Sequence, residues 1–198
     1  MAKLIVCLTG MPGSGKSTVV SALKARDLEA LNLGDGVRAE AKRRNIEPTG
    51  DNLGKLMLEL REKNGPGAIA ALLIEPIKNS QSKVIVVDGV RSTAEIEVLK
   101  NVGSVKLLSI EATSDTRYKF LSSRGRSDDP TTREKFEERD NRELGVGIGE
   151  SIAIADETIV NSDITLDELT ELAYKVIEKR IDIRDPEMLI AKYPLIVL

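Results

Sequence analysis

A glycine-rich segment near the start of the chain constrains the fold more than any other feature. Residues 4–9 are almost entirely apolar and stop at Gly10, a pattern typical of a short buried strand in a parallel sheet. Residues 16–26 instead carry apolar side chains at helical spacing. The segment between them reads Gly-Met-Pro-Gly-Ser-Gly and is followed by Lys16 and Ser17. A strand, a glycine loop and a helix in this order predict an α/β fold, with the loop at one edge of its sheet.

The spacing of the outer glycines and the lysine is that of a P-loop, which binds the phosphates of ATP or GTP. In such a loop backbone N–H groups wrap the phosphates, Lys16 reaches the β and γ phosphates, and Ser17 supplies an oxygen to Mg²⁺. The phosphates also lie at the N-terminus of the following helix, which favours negative charge. A glycine turn without a ligand is the alternative, and the complete pattern disfavours it. We predict that ATP binds with Mg²⁺ through nine consecutive residues: Gly10, Met11, Pro12, Gly13, Ser14, Gly15, Lys16, Ser17 and Thr18.

The composition limits the chemistry that can accompany this loop. The chain has no histidine and a single cysteine, Cys7, which excludes histidine-dependent catalysis, an internal disulfide and multi-cysteine zinc sites. A net charge of −3 gives no field that favours nucleic acid or a membrane surface. No segment approaches the roughly 20 apolar residues of a membrane span, and the first residues lead into the glycine loop rather than to a cleavage site. We therefore expect a cytoplasmic protein.

The rest of the chain alternates strand and helix patterns. Strands are predicted over residues 4–9, 28–33, 83–88, 104–110 and 158–161. Helices are predicted over residues 16–26, 34–44, 53–63, 68–78, 93–101 and 166–180, with a long charged segment over 114–142. This order predicts a three-layer α/β/α P-loop fold with a five-stranded parallel sheet. Ligands of such sheets bind at the carboxyl ends of the strands.

Polar residues follow two of the predicted strands at that edge. Asp88 closes an apolar strand, where it can orient the water shell of Mg²⁺ or only cap a turn. Arg91 comes three residues later. Asp35 and Arg38 begin the helix after another strand, and the alternative for them is an N-cap and a solvated side chain. Two arginines from two strand ends, Arg38 and Arg91, predict a clamp for a second phosphate.

The charged segment contains six arginines: Arg117, Arg124, Arg126, Arg133, Arg139 and Arg142. A solvated helical hairpin with many salt bridges explains most of them. However, a glycine at position 125 and a proline at 130 interrupt the helical pattern, which favours a hinged lid that closes over phosphates. Phosphoryl transfer needs positioning and charge neutralisation more than a strong base, so it suits a chain rich in arginine and without histidine.

Taken together, the glycine loop, the two segments that follow strands and the charged segment resemble the nucleoside monophosphate kinase family, adenylate kinase in particular. The resemblance is carried by the glycine loop, by Asn32-Leu-Gly-Asp-Gly-Val-Arg38, by Asp88-Gly-Val-Arg91 and by Arg126-Ser-Asp-Asp129. It covers roughly residues 3–165, and the whole pattern is most similar to an archaeal branch of adenylate-kinase-related proteins. Two positions depart from the family: Leu33 replaces a threonine, and the loop that ends at Arg91 is one residue shorter.

The resemblance implies ATP- and Mg²⁺-dependent transfer of a phosphoryl group to a nucleoside monophosphate, with AMP favoured. It implies a kinase domain over residues 1–180, with a helical acceptor-binding insert near 34–78 and a lid near 113–145. Ser17 and Asp88 would organise the metal, and Arg117 would lie near the donor adenine. The implied acceptor residues are Gly34, Asp35, Arg38, Gly89 and Arg91. The implied catalytic residues are Lys16, Arg91, Arg126 and Arg139.

Two other functions remain open at this point. The segment from Ala155 to Asn161 is similar to a region of dephospho-coenzyme A kinase that flanks the donor adenine, so dephospho-coenzyme A is an alternative acceptor. A nucleotide-binding regulatory or assembly protein with weak turnover is the second alternative. The tail at 181–198 ends in an apolar run, for which we expect packing on the domain or a surface for self-association.

Overall fold

A computed structural model describes residues 3–125 and 129–179 and shows a five-stranded parallel sheet. Its strands are β1 (Lys3–Thr9), β2 (Glu29–Asn32), β3 (Val84–Asp88), β4 (Gly103–Glu111) and β5 (Glu157–Val160). Their order across the sheet is β2-β3-β1-β4-β5, and every neighbouring pair is parallel. The predicted sheet is confirmed, and the glycine loop follows its central strand.

Helices connect the strands and cover both faces of the sheet. The first five are α1 (Lys16–Lys24), α2 (Leu33–Arg43), α3 (Gly50–Asn64), α4 (Ala68–Ala71) and α5 (Ile74–Asn79). The next five are α6 (Thr93–Lys100), α7 (Ser114–Arg124), α8 (Arg133–Val146), α9 (Ile148–Ala153) and α10 (Leu166–Glu178). In the part of the chain that the structure describes, no helix combines the length and the apolarity needed to cross a membrane.

The alternation of side chains along β1 produces the three layers. Ile5 and Cys7 are fully buried in a core cluster with α2 to α6, whereas Val6 and Leu8 pack in a second cluster with α1 and α10. Successive strand residues point to opposite faces, so a strand that is apolar throughout must be covered on both. Burial raises the pKa of the Cys7 thiol, which agrees with a core role for this residue.

Two helical predictions need correction. Residues 68–78, predicted as one helix, form two short helices, α4 and α5, with a turn between them. Pro76 has no N–H to donate to the preceding turn, so a continuous helix would lose a hydrogen bond there. Helix α9 was not predicted, because it is only six residues long and follows α8 directly at Gly147.

Candidate functional site

The glycine loop has backbone angles and close contacts that only glycine accommodates, as Gly10 and Gly15 show. Gly10 has φ 134°, and a Cβ there would overlap the carbonyl oxygen of Ile110. Gly15 has φ 107°, and a Cβ there would lie 2.5 Å from Nδ2 of Asn161. Left-handed angles are accessible to glycine without steric cost. The glycines therefore allow the loop to turn tightly against β4 and the end of β5.

Side chains from outside the loop hold two of its carbonyl groups. Arg117 Nη1 donates to the carbonyl oxygen of Pro12 at 3.1 Å, and Asn161 Nδ2 donates to that of Ser14 at 2.9 Å. The first N–H groups of a helix have no partner within the helix, so those of Lys16 and Ser17 at the start of α1 are available to an anion, whereas that of Thr18 donates to the carbonyl oxygen of Gly15. The loop is thus fixed through its carbonyl oxygens while α1 offers N–H groups at its N-terminus.

Lys16 lies back over its own loop. Its Nζ donates to the carbonyl oxygens of Gly10 at 2.5 Å and Met11 at 3.0 Å. Burial of the ammonium group lowers the pKa of Lys16 from 10.5 to about 8, and the nearby Asp88 carboxylate offsets only part of this. A lysine held in this way gains a strong electrostatic partner when phosphate oxygens approach Nζ.

Asp88 has one paired and one unpaired carboxylate oxygen. The residue is 8% exposed, and its Oδ2 accepts a hydrogen bond from Asn32 Nδ2 at 2.8 Å. Its Oδ1 is buried and has no hydrogen-bond partner among the described residues. A buried carboxylate oxygen normally has a partner, and Mg²⁺ or its water shell supplies one. With the hydroxyl of Ser17 on α1, the residues fit a magnesium ion that is bound mainly by nucleotide phosphates.

Asn32 has a second role at the start of α2. Its Oδ1 accepts hydrogen bonds from the N–H groups of Gly34 at 2.7 Å and Asp35 at 3.3 Å, so Asn32 and not Asp35 is the N-cap. Asp35 instead pairs with Arg38 at 2.7 Å on an exposed part of the helix. A single asparagine therefore links the α2 terminus to the magnesium candidate Asp88.

Arg91 is the most firmly held of the predicted acceptor residues. Its Nε donates to Glu143 Oε2 at 2.6 Å, and its Nη1 donates to the carbonyl oxygen of Gly89 at 3.3 Å. Partial burial disfavours the charge on the guanidinium, but the carboxylates of Glu143, Glu95 and Asp88 outweigh it and raise the pKa of Arg91. The guanidinium is therefore permanently charged at the edge of the pocket.

The predicted lid comprises α7 and α8. Arg117 forms a bidentate pair with Asp140, at 2.9 and 2.5 Å, and lies over the ring of Phe136. This pair ties α7 to α8, and the Arg117 side chain is only 7% exposed. Asp129 accepts hydrogen bonds from Arg124 and lies 3.8 Å from Nη1 of Arg139. Arg126 lies outside the described residues, as does the tail at 181–198.

One pocket of about 240 Å³ brings most of the predicted residues together. The predicted residues that line it are Gly10, Pro12, Gly13, Gly15, Lys16, Ser17, Gly34, Arg38, Asp88, Gly89, Arg91 and Arg139. The described ones that do not line it are Met11, Ser14, Thr18, Asp35 and Arg117. Asp35 lines a neighbouring cavity, Ser14 is buried within the loop, and Arg117 faces Asp140.

Three polar lining residues were not assigned from the sequence, namely Asn32, Arg124 and Glu143, and neither were the apolar Val90 and Ile148. Asn32 ends a strand directly before a helix, a position that favours an asparagine N-cap, so this signal was present. Arg124 stands beside the glycine that interrupts the charged segment. Glu143 is one of many acidic residues in that segment, and no local pattern distinguishes it from its neighbours.

The strand order, the glycine loop and the charged pocket define a P-loop protein with the fold of small-molecule kinases. A family model described as an AAA domain matches residues 9–137. The chain is 44% identical to the UPF0200 protein of Pyrococcus abyssi over 165 residues, which cover 81% of this chain and 88% of that protein. It is 39% identical to the UPF0200 protein of Hyperthermus butylicus over 177 residues, with 89% and 95% covered. The chain belongs to the UPF0200 family and to this AAA-domain family.

Solved structures show the same fold at low sequence identity. TT1252 from Thermus thermophilus has a TM-score of 0.67 at 17% identity, with 91% of this chain and 99% of that chain covered. Shikimate kinase from Bacteroides thetaiotaomicron has a TM-score of 0.60 at 14% identity, with 88% and 98% covered. A sugar kinase from Janibacter has a TM-score of 0.54 at 17% identity, with 90% and 95% covered. These structures confirm the predicted P-loop kinase fold, and the UPF0200 relatives confirm that the chain belongs to an archaeal family.

Proposed function

We propose that the protein transfers the γ-phosphoryl group of ATP, with Mg²⁺, to a small molecule that already carries a phosphate. A nucleoside monophosphate is the first candidate, and AMP is favoured. One observation carries this proposal: Lys16 and Ser17 line the same pocket as Arg38 on α2, the helix after β2, and Arg91, which follows the neighbouring strand β3. The loop would bind the phosphates of ATP, and the two arginines would bind the phosphate of the acceptor.

The charge of the pocket supports two anionic ligands. Its lining contains five cationic side chains, namely Lys16, Arg38, Arg91, Arg124 and Arg139, and two carboxylates, those of Asp88 and Glu143. Cationic groups that are fixed in place stabilise charge that develops during phosphoryl transfer. A pocket with this excess of positive charge suits a triphosphate and a second phosphate group that meet within it.

The predicted residues of the pocket have separate roles in this reaction. An oxygen of the acceptor phosphate attacks the γ phosphorus, and the bond to the β-phosphate oxygen breaks to release ADP. The attacking oxygen is already ionised near neutral pH, so the reaction needs no general base. Lys16 stabilises the transferring group, and Ser17 with Asp88 would hold Mg²⁺, which neutralises phosphate charge. Arg38 and Arg91 would hold the acceptor, and Arg139, with Arg126 from outside the described residues, would neutralise charge from the lid.

The named structural neighbours support transfer to a small molecule. Two of them are a shikimate kinase and a sugar kinase, and both have the fold of this chain. Their names differ in acceptor, so they support the reaction class and leave the acceptor to be tested.

A second cavity favours dephospho-coenzyme A as the alternative acceptor. It has a volume of about 380 Å³, lies between β2, α2 and the α4–α5 region, and shares Asn32 with the first pocket. Its walls include Leu31, Leu72, Leu73 and Pro76, which suit the less polar part of a long acceptor. This cavity supports the larger acceptor, because it adjoins the pocket that contains the proposed phosphate clamp.

One assay separates the candidates. The purified protein is incubated with MgATP and, in separate reactions, with AMP, CMP, UMP, GMP or dephospho-coenzyme A, and each phosphorylated product is quantified. We expect ADP to form from AMP as acceptor, above the ATP hydrolysis measured without acceptor. Phosphorylated coenzyme A would establish the alternative instead. Tight binding of AMP without turnover would favour a regulatory or assembly role and refute the proposed transfer.

A further inference from the structure

Arg91 is held at both ends by carboxylates that no sequence pattern had assigned to it. Its backbone N–H donates to Glu95 Oε2 at 2.8 Å, and its side-chain Nε donates to Glu143 Oε2 at 2.6 Å. Glu95 is only 1% exposed and also accepts a hydrogen bond from Arg61 at 3.2 Å. Separate partners thus fix the backbone and the guanidinium of the same arginine.

The hydrogen bonds of the Arg91 guanidinium leave some of its N–H groups available to bind phosphate. A guanidinium carries five N–H groups, one on Nε and two on each Nη. In Arg91, Glu143 takes the Nε group and the carbonyl oxygen of Gly89 takes one on Nη1. Within the described part of the chain, no group accepts a hydrogen bond from Nη2. Two Nη atoms side by side are the fork that binds two phosphate oxygens at once.

The carboxylate that holds this fork comes from the lid helix. Glu143 lies on α8, its side chain is 16% exposed, and it lines the pocket together with Arg91. Arg139 lies one turn earlier on α8 and lines the same pocket. Residues four apart share one face of a helix. Helix α8 therefore contributes a cation to the pocket and, from the same face, an anion that binds the acceptor arginine.

We propose that Glu143 is a positioning residue, which holds Nε of Arg91 so that the Nη pair receives the acceptor phosphate. This inference rests on the proposed function, because it takes the acceptor as the ligand of Arg91. A mobile arginine loses side-chain freedom when it binds phosphate, which weakens binding. An arginine that Glu143 already holds has lost that freedom beforehand. If the carboxylate only competed with phosphate for Arg91, its removal would have the opposite effect.

Kinetic constants of two variants test the proposal. Glu143→Ala should raise the KM for AMP about tenfold, equivalent to about 1.4 kcal/mol, and leave the KM for ATP within about twofold. Glu143→Gln retains an oxygen that can accept from Nε and should restore most of the affinity for AMP. A lower KM for AMP in Glu143→Ala, or equal changes for AMP and ATP, would overturn the proposal. Glu137→Ala on the same helix removes an exposed pair with Arg133 and should change neither constant.

NMR spectroscopy tests whether Glu143 holds the side chain of Arg91, and it does so without any turnover. The Nε–H resonance of Arg91 in ¹⁵N-labelled protein is assigned by its loss in Arg91→Lys. It should exchange slowly with water in the wild type, broaden or disappear in Glu143→Ala, and persist in Glu143→Gln. An unchanged resonance in Glu143→Ala overturns the proposal. A wild-type protein that phosphorylates none of the acceptors refutes the proposed function, while these resonances still decide whether Glu143 holds Arg91.

Discussion

Binding of ATP should be accompanied by uptake of a proton at Lys16. Burial lowers the pKa of this lysine to about 8 in the free protein, and the Asp88 carboxylate offsets only part of that effect. Phosphate oxygens beside Nζ favour the charged ammonium and raise the pKa again. A lysine that is partly neutral before binding is therefore fully charged afterwards, and the missing proton comes from the buffer.

The size of the uptake follows from the pKa of the free protein. With a pKa of about 8, about half of the lysine is neutral at pH 8, about one tenth at pH 7 and about nine tenths at pH 9. Each fraction equals the number of protons taken up per bound ATP when the bound form is fully charged. The uptake at Lys16 should thus rise from about 0.1 to about 0.9 proton between pH 7 and pH 9.

Isothermal titration calorimetry measures this uptake. MgATP is titrated at each pH in two buffers with different enthalpies of ionisation, and the difference in heat gives the number of protons. Lys16→Arg is the matched control, since arginine keeps its charge throughout this range and reports only the titration of the nucleotide and other groups. An equal uptake in the wild type and in Lys16→Arg, or an uptake that does not rise between pH 7 and 9, would refute the assignment.

Three further substitutions test other parts of the site. Asp140→Asn removes one charge of the buried pair with Arg117 and should lower the free energy of unfolding by about 3 kcal/mol in urea denaturation. Asn32→Ala removes the cap of α2 and the hydrogen bond to Asp88. It should lower the free energy of unfolding by about 1 kcal/mol and raise the Mg²⁺ concentration for half-maximal activity. Arg91→Ala should raise the KM for AMP about tenfold or more while ATP binding, measured by calorimetry, stays within about twofold.

A control variant or a contradicting outcome accompanies each of these substitutions. Asp115→Asn disrupts an exposed pair with Arg133 and should leave the unfolding midpoint unchanged. Asn32→Ser retains a capping oxygen but not the amide, so stability should recover while the altered Mg²⁺ requirement remains. Equal loss of AMP and ATP binding in Arg91→Ala would contradict the acceptor clamp.

The sheet and the glycine loop were predictable because their signals are local. The run of apolar residues at 4–9 and the Gly-Lys-Ser sequence depend only on neighbours in the chain. The rule that ligands meet the carboxyl ends of parallel strands then placed Asp88 and Arg91 near Lys16. Secondary-structure patterns and one topological rule thus located most of the pocket before any contact was known.

The side-chain pairs of the pocket were not predictable in the same way. Glu143 is 52 residues from Arg91, and the charged helix that carries it offers several other carboxylates at similar spacing. The pair of Arg117 with Asp140 is likewise set by how α7 packs against α8, and the expected place of Arg117 near the donor adenine stays a prediction. Such pairs depend on the relative placement of whole helices, for which the sequence contains no periodic signal.

The strand order places different parts of the site on the two sides of the central strand β1. This separation has consequences for how such proteins diversify. Strands β2 and β3 lie on one side of β1, and their ends carry Asn32 and Asp88. Strands β4 and β5 lie on the other side and lead to Arg117 and Asn161, which hold the glycine loop. Under the proposed assignment, the segments after β2 and β3 hold the acceptor through Arg38 and Arg91, whereas Asn32 and Asp88 at the strand ends serve the metal. Natural variation in those two segments can therefore change the substrate as long as Asn32, Asp88 and the supports of the glycine loop are kept.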